Sequence, residues 1–166
     1  MKEVVFKGSG GLYPYYLGIA LYLQENYDLS DCIFTCMSGS CFAAIPLALD
    51  LDVNVYINEF NPIFMKEVKK SGFGGVGSLI GICRKNFLKF TPIDIKKLNK
   101  RLNVHITEYD ILLKKKTYKN KIISNWKSKN DLADCIMASM YIPIYGKGLY
   151  YKFRGKKCID GGFLSL

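Results

Sequence analysis

Apolar residues recur along this chain at two spacings, one typical of short buried strands and one typical of helices. Val4-Val-Phe6 is predicted to be a strand, and the segment from Tyr15 to Tyr27 then carries apolar residues at helical spacing. A second strand is predicted at Cys32-Ile-Phe-Thr-Cys36, and a helix from Cys41 to Leu49 follows, with a kink at Pro46. Two units of strand, turn and helix therefore open the chain.

The middle of the chain is predicted to be largely helical. An amphipathic helix is expected from Asn54 to Lys69, and a basic helix from Pro92 to Arg101 with Thr91 as its N-cap. Between them, the glycine-rich segment 71–78 predicts a mobile loop, which we consider a candidate cover for an entrance.

The last third of the chain again alternates between predicted strands and helices. Val104 to Thr107 and Lys121 to Ser124 are predicted to be paired strands joined by a lysine-rich excursion. A helix from Asp131 to Met140, entered through Ser128 or Asn130, precedes a final strand at Lys157-Cys-Ile159. This alternation predicts an α/β fold with a mostly parallel central sheet and helices on both faces.

Length and composition indicate one domain spanning residues 1–166. The 166 residues, 49% of them hydrophobic, suffice for one substantial core but not for two. The longest apolar run, Cys41 to Leu49, is far shorter than the roughly 20 residues needed to cross a bilayer. We therefore expect no membrane-spanning segment, and the N-terminus has no signal-peptide pattern.

The formal net charge of +10 suits nucleic acid, an anionic lipid surface or solubility alone. Because no RNP, zinc-finger or helix-turn-helix signature accompanies the charge, no nucleic-acid partner is expected. Six cysteines lie in apolar contexts without a Cys-x-x-Cys pair, which predicts free buried thiols and no zinc site.

Two glycine-rich segments near the ends of the chain suggest hydrolase chemistry. Gly8, Gly10 and Gly11 follow a strand, where backbone N–H groups can hold an oxyanion. Asp160 precedes two glycines and can serve as a base towards a serine. His105, the sole histidine, falls inside a predicted strand, which favours a structural role over a catalytic triad. Plain turns without a ligand remain the alternative for both glycine segments.

Candidate nucleophiles occur where the second strand ends. A nucleophile elbow needs a serine on a tight turn between strand and helix. Met37-Ser-Gly-Ser40 supplies that position and two hydroxyl groups. The alternative is an ordinary N-cap for the helix that follows.

Taken together, these motifs resemble the patatin-like phospholipase family, in particular its animal branch. The resemblance covers nearly the whole chain, and its segments are Phe6 to Gly18, Leu102 to Thr107, Ala138 to Tyr145, Lys152 to Gly155 and Ile159 to Phe163. It implies a three-layer α/β/α domain, a serine-aspartate dyad that uses no metal or cofactor, and hydrolysis of acyl esters in phospholipids or glycerides. Asp160 takes the position of the dyad aspartate, and Gly8, Gly10 and Gly11 take the oxyanion positions.

The family's Gly-x-Ser-x-Gly motif is degenerate in this chain. Counted without a gap, it places Met37 at the serine position. A shift of one residue gives Ser38, flanked by Cys36 and Ser40, and a shift of three gives Ser40, flanked by Ser38 and Phe42. Ser38 is preferred because Phe42 would crowd an elbow. Since the chain stops at Leu166, shortly after Asp160, the resemblance also suggests a domain truncated at its C-terminus.

Two functions follow from the resemblance. The first is a lipid acyl hydrolase that acts at anionic membrane surfaces, in the cytoplasm, on membranes or lipid droplets. Its candidate acyl-chain pocket is lined by aromatic residues, for which a place in the core is the more frequent alternative; they are Tyr13, Tyr15, Tyr16, Phe42 and Phe60. The alternative is a catalytically inactive patatin-like protein that binds lipid or a partner protein.

Overall fold

The computed structural model describes residues 2–72, 77–112, 115–143 and 146–164. In the first part, two strands each pass through a short 3-10 turn into a helix. These elements are β1 (Lys2–Phe6), the turn Gly10–Leu12, α1 (Tyr13–Asn26), β2 (Cys32–Met37), the turn Ser38–Ser40 and α2 (Cys41–Ala48). Both predicted units of strand, turn and helix are confirmed.

The middle of the chain is helical. It contains α3 (Val53–Val55), a π-helical turn (Tyr56–Phe60), α4 (Asn61–Ser71), α5 (Leu79–Phe90) and α6 (Ile95–Leu98). The remaining elements are β3 (Leu102–Leu112), β4 (Lys115–Ile123), α7 (Lys129–Ser139), β5 (Tyr151–Phe153) and β6 (Lys156–Ile159). Most of the predicted glycine-rich loop, residues 73–76, lies outside the described residues.

Helix α5 was not predicted. Three sequence-based expectations were also wrong: the length of the basic helix, its N-cap, and the excursion between the paired strands. The basic helix is only one turn long, and Asp94 caps it by accepting from Lys96 N at 2.9 Å. Thr91 is instead buried, and its hydroxyl lies 2.6 Å from the Tyr56 hydroxyl. Finally, the lysine-rich excursion does not leave the sheet: β3 and β4 continue as one long antiparallel hairpin.

The order of strands in the sheet is β1, β2, β3, β6, β5, and β4 also pairs with β3. β1, β2 and β3 are parallel neighbours, whereas β4 and β6 run antiparallel to β3, and β5 runs antiparallel to β6. Four strands therefore run in one direction and two in the other. The result is a mixed α/β fold in which most strands are co-directional.

One edge of β3 brings two distant parts of the chain together. β4 occupies the other edge from Val104 onward, so β2 and β6 must share the remaining edge. β2 runs parallel to β3 and ends opposite His105, whereas β6 runs antiparallel and ends opposite Thr107. The C-terminal ends of β2 and β6 thus meet almost head to head.

The core lies on one face of the sheet. Because β1, β2 and β3 advance in one direction, right-handed crossovers place both connections on the same face. Phe6, Phe34, Val104 and Ile106 are buried there. On the opposite face Val5 is 53% exposed and Ile122 57% exposed, so much of that face is open.

The expected three-layer arrangement therefore stays a prediction. None of the helices in the described residues has the length and apolar character needed to cross a bilayer. All six cysteines are buried and unpaired. Two of them, Cys36 and Cys41, lie behind the turn that follows β2, with their sulfur atoms 3.2 Å apart.

Candidate active site

The turn after β2 has the geometry of a nucleophile elbow with Ser38 at its apex. Met37 is still extended, with φ −151° and ψ 146°, but Ser38 adopts a φ of +57°. This left-handed conformation is uncommon for residues other than glycine and is strained. A hydrogen bond from Ser38 N to Ser139 Oγ, 2.9 Å long, helps to hold it. Helix α2 begins just beyond this turn.

Ser40 has a different position, inside the turn. Its side chain is fully buried, and its Oγ lies 2.9 Å from the Phe6 carbonyl oxygen and 2.7 Å from that of Met37. It also accepts a hydrogen bond from Met37 N at 3.3 Å. These contacts make Ser40 a structural bracket between β1 and the elbow. The geometry therefore supports Ser38 over both Ser40 and Met37 as the nucleophile.

Asp160 follows directly after β6 and is held by its backbone. Its amide donates to the Tyr141 carbonyl oxygen at 2.9 Å, and its own carbonyl oxygen accepts from the Thr107 hydroxyl at 2.9 Å. In the side chain, Oδ1 accepts from Gly162 N at 2.8 Å. The carboxylate is therefore fixed on the side of the sheet where β2 also ends.

Ser139, the last residue of α7, connects the two candidate catalytic residues. Its hydroxyl accepts from Ser38 N and donates to the His105 carbonyl oxygen at 2.6 Å. Its own carbonyl oxygen accepts from Gly161 N at 2.7 Å. The sequence reasoning assigned no role to Ser139, although the segment Ala138 to Tyr145 carried part of the family resemblance. One buried serine thus bridges the elbow, β3 and the aspartate turn.

Two glycines allow these segments to pack closely. A β-carbon added at Gly39 would lie 2.5 Å from the Gly10 carbonyl oxygen, so the elbow rests directly on the predicted oxyanion turn. A β-carbon added at Gly161 would overlap the His105 carbonyl oxygen. At both positions a side chain would force the backbones apart.

The candidate residues surround a cavity of about 870 Å³, here called the main cavity. Gly8, Gly10, Ser38 and Asp160 all line it, whereas Gly11 lies in the same glycine turn but outside this lining. The floor is formed by the open face of the sheet and is partly polar, with Glu3, Lys7, Thr35 and His105 among its residues. The structure thus brings four of the five predicted site residues to one cavity.

Burial is the main influence on the Asp160 carboxyl, and it raises the pKa of this group. Interactions with the Ser38 side chain and with Gly162 N lower the pKa without cancelling that effect. Oδ2 is buried and makes no hydrogen bond of ordinary geometry within the described residues. The Ser38 side chain is thus close enough to this carboxylate to affect its pKa.

The raised pKa predicts that Asp160→Asn increases stability at neutral pH. The carboxyl ionises less readily in the folded than in the unfolded chain, so above the raised pKa its ionisation costs folding free energy. Below the unfolded-state pKa both states are protonated and this cost disappears. Urea unfolding across a pH series should show a gain for Asp160→Asn that shrinks as the pH falls through the raised pKa. The exposed control Asp31→Asn should show no such gain, and a neutral-pH loss in Asp160→Asn would contradict the expectation.

Neither a metal centre nor the expected aromatic pocket is found in the part of the chain that the structure describes. No three His, Cys, Asp or Glu side chains are grouped there to hold a metal ion. The proposed acyl-pocket residues Tyr13, Phe42 and Phe60 are buried in the core, and Tyr15 is exposed. The pocket interpretation was therefore wrong for Tyr13, Phe42 and Phe60, and the core alternative is confirmed: their rings, from α1, α2 and the π-helical turn, pack against one another.

Comparison with known proteins gives several similar sequences. Human patatin-like phospholipase domain-containing protein 4 is 29% identical over 132 residues, which are 77% of this chain and 49% of that protein. Human patatin-like phospholipase domain-containing protein 2 is 28% identical over 167 residues, 96% of this chain and 32% of that protein. Mouse omega-hydroxyceramide transacylase is 25% identical over 172 residues, 99% of this chain and 27% of that protein.

The chain therefore spans about half or less of the length of these curated relatives. No protein-family profile matches the chain. No solved structure matches it either.

Proposed function

Because this chain is related to the patatin-like phospholipase family, we propose that it is a lipid acyl hydrolase that uses Ser38 and Asp160 as a dyad. The observation that carries the proposal is the meeting of β2 and β6 on one edge of β3. It sets a serine in a strained elbow beside a buried carboxylate, at the end of a sheet where a glycine turn also lies. Strand ends of this kind are where α/β folds place their sites.

In the proposed mechanism, Ser38 Oγ attacks the ester carbonyl carbon while its proton passes to Asp160. Oδ2 suits that role because it makes no ordinary hydrogen bond to the described residues and so can accept the proton. The negative charge that develops on the carbonyl oxygen would be held by backbone N–H groups of the turn containing Gly8 and Gly10. Removing one such donor typically costs about 2.7–4 kcal/mol of transition-state stabilisation.

The tetrahedral intermediate then collapses, and the carbon–oxygen bond to the leaving alcohol breaks. The proton held by Asp160 returns to that alcohol, leaving the acyl group on Ser38. Water then attacks the acyl carbon while the same carboxylate takes its proton. The bond from that carbon to Ser38 Oγ breaks, the proton passes from Asp160 to Ser38 Oγ, and the free acid leaves. Because the aspartate must start ionised, its raised pKa places the acid limb of the activity above the range of an ordinary aspartate.

A second candidate is an inactive member of the same family that binds lipid. The observation that favours it is the pair of residues at the elbow's two flanking glycine positions, Cys36 and Ser40, both fully buried. Replacement of the two flanking glycines by such residues would keep the fold but remove the hydrolase activity.

Contact with an anionic lipid surface also belongs to the proposal. The net charge of +10 supports it, since each Lys or Arg near such a surface contributes about 1 kcal/mol. The cytoplasmic location on membranes or lipid droplets, and a second helical layer over the open sheet face, remain parts of the same proposal. Co-sedimentation with phosphatidylcholine vesicles, with and without phosphatidylserine, measures the lipid contact, and equal binding to both would argue against a role for charge.

The proposed function is tested by hydrolysis of p-nitrophenyl butyrate and of a fluorogenic phospholipid, together with fluorophosphonate labelling and peptide mapping. Turnover with the label on Ser38 itself, located by fragmenting the labelled peptide, is the expected result. A well-folded protein that neither turns over ester nor takes the label would support the inactive candidate. Label on Ser40 would overturn the assignment of the nucleophile.

A further inference from the structure

A smaller cavity of about 300 Å³ lies next to the main cavity. It is here called the aromatic cavity, and its walls are Tyr109, Tyr118, Tyr141, Leu149 and Ile159. Ile142, Asp160 and Phe163 line both cavities, so the two cavities adjoin at the candidate catalytic carboxylate. Nothing in the chemistry proposed above uses this second space.

The inner wall of the aromatic cavity is formed by aromatic side chains that contact one another or are held by hydrogen bonds. The rings of Tyr109 and Tyr118 stack across the β3–β4 hairpin with their centroids 5.4 Å apart, and Phe163 packs on Tyr118 at 4.9 Å. Tyr141 is buried, and its hydroxyl is held by the Gly148 N–H and carbonyl oxygen, each at 2.9 Å. The polar end of Tyr141 is therefore satisfied by Gly148, and its ring serves as an apolar wall.

The aromatic cavity extends along β3, so one of its ends is nearer to Asp160 than the other. His105, Thr107 and Tyr109 project from the same sheet face, because successive side chains of a strand alternate. Asp160 follows the residue that pairs with Thr107, so it marks the near end. Tyr109 and its partner Tyr118 lie two residues, or about 7 Å, further along the strand. They close the far end.

The two cavities differ in chemistry. Both linings are mainly apolar, and the difference lies in their charged groups: Asp160 is the one charged residue among the described residues that line the aromatic cavity, whereas Glu3 and Lys7 also line the main cavity, together with Thr35 and His105. An ester with its carbonyl at Ser38 has one apolar arm, the acyl chain, and one polar arm that carries glycerol or a head group. The apolar arm matches the aromatic cavity, and the polar arm matches the main cavity.

We propose that the aromatic cavity binds the acyl chain of the substrate and that Tyr118, at its far end, limits the chain length. This inference rests on the proposed hydrolase function. The volume is at the lower end of the roughly 300–1,000 Å³ found for pockets that hold small ligands. The preferred substrate is therefore an ester of a medium-length acid rather than of a long one.

The test is kcat/KM for p-nitrophenyl acetate, butyrate, octanoate, dodecanoate and palmitate. The unmodified protein should peak at octanoate or dodecanoate. In Tyr118→Ala the palmitate-to-butyrate ratio should rise roughly tenfold, since each methylene in an apolar pocket is worth about 10-fold or more in selectivity. Tyr27→Ala, which removes a tyrosine that is also exposed but lies outside both cavities, is the matched control and should leave the ratio unchanged.

A second variant is designed to lower the preference for long acyl chains, and it changes an exposed residue and not a core residue. Leu149 is 71% exposed and Phe163 50% exposed, so they form the rim of the aromatic cavity. Leu149→Trp should narrow the cavity and lower the dodecanoate-to-acetate ratio. Calorimetric binding of dodecanoic acid to the same proteins gives a readout that needs no turnover, and Leu149→Trp should weaken it.

Different results would contradict the hydrolase function and the assignment of the acyl site. An unmodified protein that hydrolyses the esters, with the same chain-length profile in Tyr118→Ala and Leu149→Trp, would overturn the aromatic cavity as the acyl site and leave the hydrolase standing. No hydrolysis, together with dodecanoic acid binding that Leu149→Trp weakens, would overturn the hydrolase and keep the cavity as a lipid site. Dodecanoic acid binding unaffected by Leu149→Trp would overturn the cavity assignment in either case.

Discussion

Replacing Ser38 with alanine is expected to lower kcat for ester hydrolysis by roughly 10³-fold or more, since removal of a nucleophile leaves only binding and oxyanion stabilisation. The fold should persist, because the backbone hydrogen bond from Ser38 N to Ser139 Oγ does not involve the lost hydroxyl. Far-ultraviolet circular dichroism and urea unfolding check the fold, and p-nitrophenyl butyrate hydrolysis measures the loss.

Three further variants test the same assignment. Ser38→Gly should be as inactive as Ser38→Ala but more stable by about 1 kcal/mol, because glycine accepts the φ of +57° without strain. Ser30→Ala, at an exposed serine, should keep full activity. Ser40→Ala is expected to lose stability, by about 1–3 kcal/mol, since it leaves buried backbone groups unsatisfied. Activity retained in Ser38→Ala and lost only in Ser40→Ala would reverse the assignment of the nucleophile.

The largest effect on stability is expected for Gly161→Ala, at about 3 kcal/mol. The added methyl group would overlap the His105 carbonyl oxygen and would also come within 3.1 Å of Ser139 Oγ. Relief requires the aspartate turn to move away from β3, which displaces Asp160 from Ser38. We therefore expect activity to fall together with stability in this variant.

Gly18→Ala and Gly81→Ala are matched controls for that change. Both glycines lie within helices, and a β-carbon added at either has no neighbouring atom within 4 Å. The same substitution should stabilise the protein there by about 0.5–1 kcal/mol. Urea unfolding of the three variants compares them directly, and a Gly161→Ala protein as stable as the helix variants would show that β6 does not press against β3 in solution.

The local parts of the site could be predicted from the sequence because each depends on neighbouring residues. A glycine turn after β1, a serine turn after β2 and an aspartate turn after the last strand all follow from short apolar runs that end at small residues. In the same way, Ser128 was one of two expected caps for α7, and its hydroxyl accepts from Asp131 N at 3.1 Å.

What the sequence did not reveal depends on contacts between distant residues. Ser139 is an unremarkable helix residue until the fold sets it beside Ser38, and the aromatic cavity exists only because β4 pairs with β3. The lysine-rich hairpin was interpreted as an excursion because charged residues are poor evidence for a strand, yet cross-strand stacking of Tyr109 and Tyr118 favours the pairing. Core and pocket both stayed open for Tyr13, Phe42 and Phe60, because apolar spacing cannot tell a core from a pocket.

The shared edge of β3 has a consequence for how the candidate active site forms during folding. Ser38 and Ser139 are 101 residues apart in sequence, and neither the elbow nor the aspartate turn has its final neighbour until β2 and β6 have both paired with β3. A slip of β6 by one residue would send Asp160 to the opposite face of the sheet. Contacts this distant in sequence form slowly during folding. Recovery of esterase activity after dilution from denaturant should therefore report completion of the whole topology, and it should lag behind signals that follow helix formation alone.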